Sequence, residues 1–410
     1  MQSALVIGGG IAGPASALAL QKIGVRATVY ESYAASADGI GGTLMVAPNG
    51  LNALGIIGLQ DAVSAVGQPI ERMVIADGRG KQLMAFPGLA GLPPSRLMWR
   101  SDIYRVLRDQ ALTRGVDIQY GKRLVEVTER DDAITAIFAD GSRATADVLI
   151  GADGIRSAVR KLIDPMAPEP QPDGLVGFGG EADLELPGRT DAIYFVYGKR
   201  AFIGYWIQPD GRVAWFSNLP HRDFMSQAEA RAVPSEVWLE QARVTYAGDY
   251  PAEELVRHTR PERLLAFGST DMLPEVPHWY RGRMVLVGDS AHAPNHSSGQ
   301  GVSLAVESAV ELARCLRDID DVSAAFAAYE SLRRPRVTRI AAQAARTNQH
   351  KAAGPVATAI MSLVMRVATR TVMKPEKMFG WVQGFRIDWD QPVTQPAAQP
   401  RPTRVLALSS

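Results

Sequence analysis

Cysteine is nearly missing: Cys315 is the single one in 410 residues, which excludes an intramolecular disulfide and weighs against a Cys-based metal site. It lies in Ala313-Arg314-Cys315-Leu316, a helical context in which a buried, inert thiol is expected. An excess of one charge is missing too. Lys and Arg number 44 against 43 Asp and Glu, so no global field draws the chain to nucleic acid or an anionic membrane. No stretch reaches the ~18–20 uncharged apolar residues that a membrane span needs. The nearest, Val356 to Met373, is interrupted by Arg366 and Arg370 and reads as a packed or surface helix. No basic leader precedes the first apolar run, so a cytoplasmic protein is expected. The apolar share, 46%, is ordinary for a globular protein, and the length allows two lobes or one large elaborated domain.

What is present is concentrated in three short motifs spread over nearly three hundred residues. The first is Gly8-Gly9-Gly10-Ile11-Ala12-Gly13, after the apolar run Ala4 to Ile7. The second is Gly151-Ala152-Asp153-Gly154, after Val148-Leu149-Ile150. The third is Gly288-Asp289-Ser290-Ala291-His292, ending in Gly299-Gln300-Gly301, after Met284 to Val287. Each stands where an apolar strand breaks into a glycine turn, the usual place for ligand-binding groups at a sheet's carboxyl edge.

The order along the chain supports an α/β fold. Ala4 to Ile7 reads as a buried parallel strand, Ala15 to Ile23 as a helix ended by Gly24, and Ala27 to Tyr30 as a second strand. Pro14 falls at the helix start, where its missing N–H would be unpaired anyway. Asp102 to Arg114 predicts a helix, and Glu126 to Ala139 a hairpin. From Gly174 to Leu219 the pattern changes to short strands rich in aromatic and β-branched residues, over Ile193–Tyr197, Ala201–Ile207 and Val213–Asn218. Helices follow over Ser235–Ala247, Gly301–Leu316 and Val322–Ala345, the last with an expected break at Pro335. The expected organisation is a Rossmann-type nucleotide-binding lobe over 1–173 that returns over 281–345. A mixed β-sheet substrate lobe is inserted at 174–280, a C-terminal helical brace occupies 346–390, and the Pro-rich tail 391–410 is expected to be disordered.

The chemistry follows from these turns. Gly8 and Gly10 permit a tight turn and close approach of backbone to a pyrophosphate. Gly13 lets the following helix lie against the strand and aim its N-terminus at the phosphates. Glu31 stands 23 residues after Gly8, the spacing of an acid that accepts from a ribose hydroxyl pair. The competing reading is a glycine turn that merely packs a βαβ unit. Asp153 and Asp289 suit a polyhydroxylated ribityl chain, hence a flavin; taken singly, either is equally a turn residue or helix cap. Gly299-Gln300-Gly301 opens a helix whose N-terminus can stabilise negative charge on a reduced flavin pyrimidine. Together the motifs imply bound FAD.

Residues 3 to 340 resemble the class A flavoprotein monooxygenases, the para-hydroxybenzoate hydroxylase-like group. Glu31 matches that family's ribose-binding acid, Arg100 its cofactor-contacting arginine, and Leu124 the residue whose backbone lies near adenine. Gly151 to Arg160 resembles its DG motif, implicated in FAD and NAD(P)H binding, and Gly288 to Gly301 its GD motif, with Asp289 at the ribityl contact. Gly41-Gly42-Thr43-Leu44, with Thr43 as a cofactor-binding residue, is similar to the subgroup containing tetracycline-inactivating monooxygenases. The resemblance implies that NADPH or NADH reduces FAD, O2 adds at flavin C4a, and the hydroperoxide delivers one oxygen atom to a small aromatic or polycyclic substrate. No second glycine fingerprint is present, which fits transient nicotinamide binding. The expected partners are a small-molecule substrate and O2, and the expected state a monomer or homodimer.

One departure stands out. Where the family carries prolines before its final glycines, this chain has Asn295 and His296, with proline shifted to Pro294. The family places this segment between flavin and substrate, so His296 is the candidate catalytic residue, as hydrogen-bond partner or acid/base; the blander reading is a loop histidine that shapes the pocket. His292 and His296 lack a third ligand, so no metal is expected. Phe178, Tyr205, Trp206, Trp215, Phe216, Asn218 and His296 are the candidate substrate-wall residues, and strand alternation turns half of those on the sheet to its other face. Two rival classes remain: an FAD oxidase, dehydrogenase or reductase of related fold, and a flavin-binding protein whose role is interaction.

Overall fold

The computed structural model describes residues 1–36, 41–221, 223–351 and 375–394, without the side chains of 347–351. The apolar segment Val356–Met373 and most of the expected tail lie outside the described residues.

The chain opens with β1 (Ser3–Ile7), α1 (Ala12–Lys22) and β2 (Arg26–Tyr30). Next come β3 (Thr43–Val46), α2 (Pro48–Ile56), α3 (Gln60–Val66), β4 (Gln68–Ile70), β5 (Arg72–Asp77), β6 (Gln82–Pro87), β7 (Ser95–Trp99) and α4 (Arg100–Thr113). Then follow β8 (Asp117–Gln119), β9 (Leu124–Glu129), β10 (Ile134–Phe138), β11 (Arg143–Ala146), β12 (Val148–Gly151) and α5 (Ala158–Ile163). The middle of the chain forms β13 (Gln171–Ala182), β14 (Ala192–Tyr197), β15 (Phe202–Ile207), β16 (Val213–Pro220), α6 (Gln227–Ala232), α7 (Ser235–Tyr246), α8 (Ala252–Arg257) and β17 (Thr259–Met272). The last elements are β18 (Tyr280–Arg281), β19 (Met284–Leu286), α9 (Gly301–Asp318), α10 (Val322–Lys351) and α11 (Pro375–Gln383).

The nucleotide-binding sheet has the order β18-β19-β12-β1-β2-β8, parallel except for β18. Its central strands are continuous apolar runs because helices and the small antiparallel sheet β11-β10-β9, whose Phe138 stacks on Tyr30, cover them: Val6, Val29, Leu149, Ile150 and Val285 are fully buried. The second large sheet, order β17-β13-β16-β15-β14-β5-β6, is mixed, with β14 and β5 parallel. Two of its strands, β5 and β6, come from residues 72–87, outside the expected 174–280 insert, and β17 comes from 259–272, after the aromatic-rich stretch that supplies most of β13 to β16. A helical layer from α6 to α8 covers its outer face through Trp238, Leu239, Ala242 and Tyr246. A small antiparallel sheet, β3-β7-β4, lies between the two lobes, where Trp99 and Trp206 approach with ring centroids 6.4 Å apart.

One expectation needs correction. α10 runs unbroken through Pro335. The proline forfeits one backbone hydrogen bond, but its arginine neighbours fasten the helix on both sides. Arg333 and Arg336 grip Glu307 of α9, and Arg334 holds Glu330, Glu275 and the carbonyls of Val276 and Pro277. Cys315 is buried, and desolvation raises its thiol pKa, as expected of an inert core cysteine. Among the described residues no helix is long and apolar enough to cross a membrane.

Candidate functional site

The three glycine turns leave one edge of one sheet at the same level. Ile7 pairs with Gly151, and Gly151 with Leu286, so the last residues of β1, β12 and β19 stand side by side. Backbone bonds carry the alignment into the turns: Ala152 N donates to Ile7 O at 2.8 Å, and Val287 N to Gly151 O at 2.9 Å. Buried Arg160 bolts the second turn to the third, donating to Ser290 O at 3.1 Å and Ile155 O at 2.7 Å. Ser290 Oγ closes the joint on Gly151 O at 2.6 Å.

The first turn is packed as tightly as its glycines predict. A Cβ on Gly8, at φ +106°, would lie 2.4 Å from Ala152 O, and one on Gly13 only 1.9 Å from Gly8 O. On the open side, a Cβ on Gly10 would meet only Arg100 Nη2, at 3.9 Å, and one on Gly301 would meet nothing within 4 Å. The backbone is thus sealed against the protein behind and bare in front, the shape a dinucleotide cradle needs. Ala12 sits where a Cβ on Gly288 would touch it, at 3.0 Å, joining the first and third turns.

Glu31 follows β2 and accepts from Gly9 N at 2.7 Å and Tyr33 N at 2.8 Å, so the acid is fixed beside the loop. Leu124 is buried at the start of β9, next to the stacked Tyr30–Phe138 pair. Arg100 starts α4; its N–H donates to Gly42 O at 2.9 Å and its side chain runs past Gly41 toward Gly10. Thr43 pairs with Trp99 in the small sheet, one residue from Gly42, whose missing Cβ leaves room for Phe267. Asp289 is open to solvent, yet protein walls in the cleft floor where it stands. That enclosure pushes its carboxyl up to about 6, with Arg100 opposing.

Asp153 behaves differently. Its carboxylate accepts from Ser157 Oγ, from Ala158 N at 2.7 Å and from Val159 N at 3.2 Å, so it caps the start of α5. The cap alternative describes this side chain, and its backbone packs behind Gly8.

Gly299 is left-handed at φ +60°, and Gln300 caps α9. Asn49 holds Gln300, donating from Nδ2 to its Oε1 at 2.9 Å and to Glu307 Oε1 at 2.6 Å. Arg333 and Arg336 balance that buried Glu307. Burial alone would raise its carboxyl, but the two cations and Asn49 hold it below the ordinary value.

The wall residues divide between the two faces of the sheet. Phe178, Tyr205 and Trp215 point away from the cleft: Phe178 packs on Trp215 and Trp238, and Tyr205 stacks on Tyr194 at 4.7 Å. These three are therefore core residues, not wall. Trp206, Phe216 and Asn218 lie on the inner face, with Phe195 and Met45 against the same cluster. Sequence reading missed Phe267 of β17, Asn49 and Asp173, because nothing local marks them. His296 stands in the loop before Gly299, one-third exposed, with Nδ1 3.5 Å from Asp173 Oδ2. Among the described residues no group of three or more His, Cys, Asp or Glu side chains is placed to hold a metal ion.

The residues present therefore fit FAD along its length: Glu31 for ribose, the Gly8–Gly13 turn with α1 for pyrophosphate, Asp289 for ribityl, and Gln300-Gly301 for the pyrimidine. Comparison with known proteins supports FAD as the cofactor. The FAD-dependent urate hydroxylase of Klebsiella pneumoniae is 30% identical over 344 residues, covering 82% of this chain and 86% of that one. The aurachin C monooxygenase/isomerase of Stigmatella aurantiaca is 28% identical, covering 84% and 88%. The crystal structure of Klebsiella pneumoniae HpxO complexed with FAD and uric acid superposes with a TM-score of 0.80 at 25% identity, covering 93% of this chain and 96% of that one. The FAD-binding domain model matches residues 1–344. The chain belongs to that family and is an FAD-dependent monooxygenase of the class A type.

Proposed function

We propose that the enzyme consumes NADPH or NADH and O2 to hydroxylate a small aromatic or polycyclic substrate held between the flavin turns and the inner face of the mixed sheet. Bound FAD, once reduced by the nicotinamide, supplies the activated oxygen, one atom of which goes to the substrate and the other to water. The protein's own residues do the rest. Gly8 to Gly13 and α1 hold the pyrophosphate, and Glu31 and Asp289 accept from the hydroxyls at either end. The N-terminus of α9 stabilises negative charge at the pyrimidine. Phe216 and Phe267 offer flat apolar surface to a planar ring, with buried Trp206 packed behind them, and the two lobes exclude bulk water.

The observation that carries this reading is the inner face of the sheet. Half-buried Phe216, Asn218 and Phe267 stand opposite a bare cofactor cradle, while their neighbours in the strands are sealed in the core. A library of aromatic and polyketide compounds should contain members that raise NADPH oxidation and gain sixteen mass units in air and eighteen under ¹⁸O2. Substrate oxidation without label in the product would favour the oxidase or dehydrogenase alternative. Turnover of no compound would favour a binding role.

A further inference from the structure

Asn49 and Gln300 meet where the first turns of α2 and α9 pack together. A Cβ on Gly50 would lie 2.5 Å from Ser303 Oγ, and that hydroxyl accepts from Ala47 N at 3.2 Å, so the two helix starts are in direct contact. Asn49 and Gln300 are 1% and 5% exposed, so partners within the protein set the direction of each amide. The order starts at Glu307. Against its burial, Arg333 and Arg336 keep its carboxylate ionised, and an ionised carboxylate only accepts. Asn49 must therefore turn Nδ2 toward Glu307 Oε1, 2.6 Å away; the reversed amide would set Oδ1 there, acceptor against acceptor. The second proton on Nδ2 goes to Gln300 Oε1 at 2.9 Å, which fixes the Gln300 amide in its turn. Gln300 Nε2 lies on the other branch of that amide and donates to no described residue. Unlike Asn49 Oδ1, it is not sealed away from the cleft. The Gln300 backbone is held as well, its N–H donating to Ser298 Oγ at 3.1 Å and its carbonyl accepting from Leu304 N at 2.8 Å.

We infer that Asn49 is a positioning residue for flavin reduction: it relays the polarity of the Glu307 carboxylate to Gln300, so that Gln300 presents an N–H donor and not a carbonyl to the pyrimidine edge of bound FAD. The inference rests on the placement of Gln300 at the pyrimidine given above. Reduction by the nicotinamide adds two electrons and one proton to FAD and leaves one negative charge at that ring. A donor facing the charge stabilises the reduced form more than the oxidised one and raises the midpoint potential; a carbonyl facing it does the reverse. An untethered glutamine amide could turn either face to the flavin, and Asn49 removes that choice. The relay acts by orientation alone. Asn49 and Gln300 are both neutral, and the ionised groups that set the direction stand behind them on α9 and α10.

The measurement is the midpoint potential of the FAD-loaded enzyme without substrate, reduced slowly by xanthine and xanthine oxidase against a reference dye. Gln300→Leu should lower the ratio of reduced to oxidised flavin roughly tenfold at a given potential, a shift of about 30 mV for a two-electron couple. Asn49→Leu should lower it several-fold, because the Gln300 amide is then free to turn. The double variant should match Gln300→Leu alone, since Asn49 has nothing left to aim. Equal potentials in wild type and Asn49→Leu overturn the inference. So do additive shifts in the double variant, which would mean that Asn49 acts by another route. An unchanged potential in Gln300→Leu overturns both the relay and the placement of Gln300 at the pyrimidine. Where a leucine variant does not retain FAD, alanine at that position takes its place. Loss of FAD from both forms at either position overturns the relay, because that residue then builds the site instead of tuning it. The expected shifts in an enzyme that puts no label from ¹⁸O2 into any product would instead defeat the hydroxylation reading and leave the relay standing.

Discussion

Asp289 is the residue on which FAD retention should depend most visibly. Enclosure at the cleft floor pushes its carboxyl up to about 6, and Arg100 pulls it back only in part. The sign is direct: above that value the group is a carboxylate that accepts from ribityl hydroxyls, and below it a neutral acid that accepts less well. FAD affinity should therefore fall as pH drops through about 6. Asp289→Asn should lack that step, and Asp289→Ala should weaken FAD by about 1.5–3 kcal/mol, the value of a hydrogen bond to a charged group. Fluorescence of released flavin against pH measures both, and a flat wild-type curve refutes the assignment. Gly13→Ala offers a steric counterpart. Its Cβ would sit 1.9 Å from Gly8 O, so the turn must open and the protein should purify without flavin colour. These residues were legible in the sequence because the constraint on each is local: a turn, a strand end, a helix start. Asp173 was not, since Thr270 and Asn295 reach it across 97 and 122 residues and no short window contains the set.

At the scale of elements, alternation told how many wall candidates would be lost and not which ones. Register decides that. Gly204 lies opposite Phe216, which puts Phe216 on the inner face, and Tyr205 opposite Trp215, which puts both outside. The unbroken α10 has the same origin, because the anchors that carry it past Pro335 lie on α9 and in the loop after β17. The Glu307 cluster between α9 and α10 makes a quantitative expectation. Arg333 and Glu307 are both fully buried, so removing one partner leaves a bare charge, and Glu307→Gln should cost about 3–5 kcal/mol. Because Glu307 is held below its ordinary value, its contribution is present at neutral pH and lost as pH falls through the depressed value. His292 acts in the same direction: burial, with Arg333 nearby, lowers it to about 3, so stability drops as pH falls from about 6.5 toward that value. Urea denaturation at neutral and acid pH should show the wild type converging on Glu307→Gln as the solution is acidified. A constant gap between them would mean that the carboxylate is not the titrating group.

Across the whole molecule, the C-terminal segment ties the lobes together without touching the cofactor turns. Phe379 of α11 meets Phe86 of the mixed sheet edge to face at 5.8 Å, while Arg336 donates to the carbonyls of Trp381 and Val382. Further on, Arg314 donates to the carbonyls of Asp388 and Gln391, and Arg317 to that of Trp389. The Trp389 ring lies between Arg317, 4.7 Å from its centroid, and Lys22 at the end of α1, 5.4 Å away. The strap thus joins the far ends of α1 and α9, the two helices whose near ends face the pyrophosphate and the pyrimidine. Trp389 is only half-buried, so Trp389→Ala should cost about 1–3 kcal/mol, less than a fully buried tryptophan, with part of it from the two cation–π contacts. The loss should appear as a melting temperature lower by several degrees in calorimetry of both the apo and FAD-loaded protein. FAD affinity should be unchanged, because a helix transmits no change in its far end to its first turn unless it shifts as a rigid body. An affinity loss as large as that of Asp289→Ala would show that α1 and α9 do move as rods, and that the C-terminal strap sets the width of the cofactor cleft.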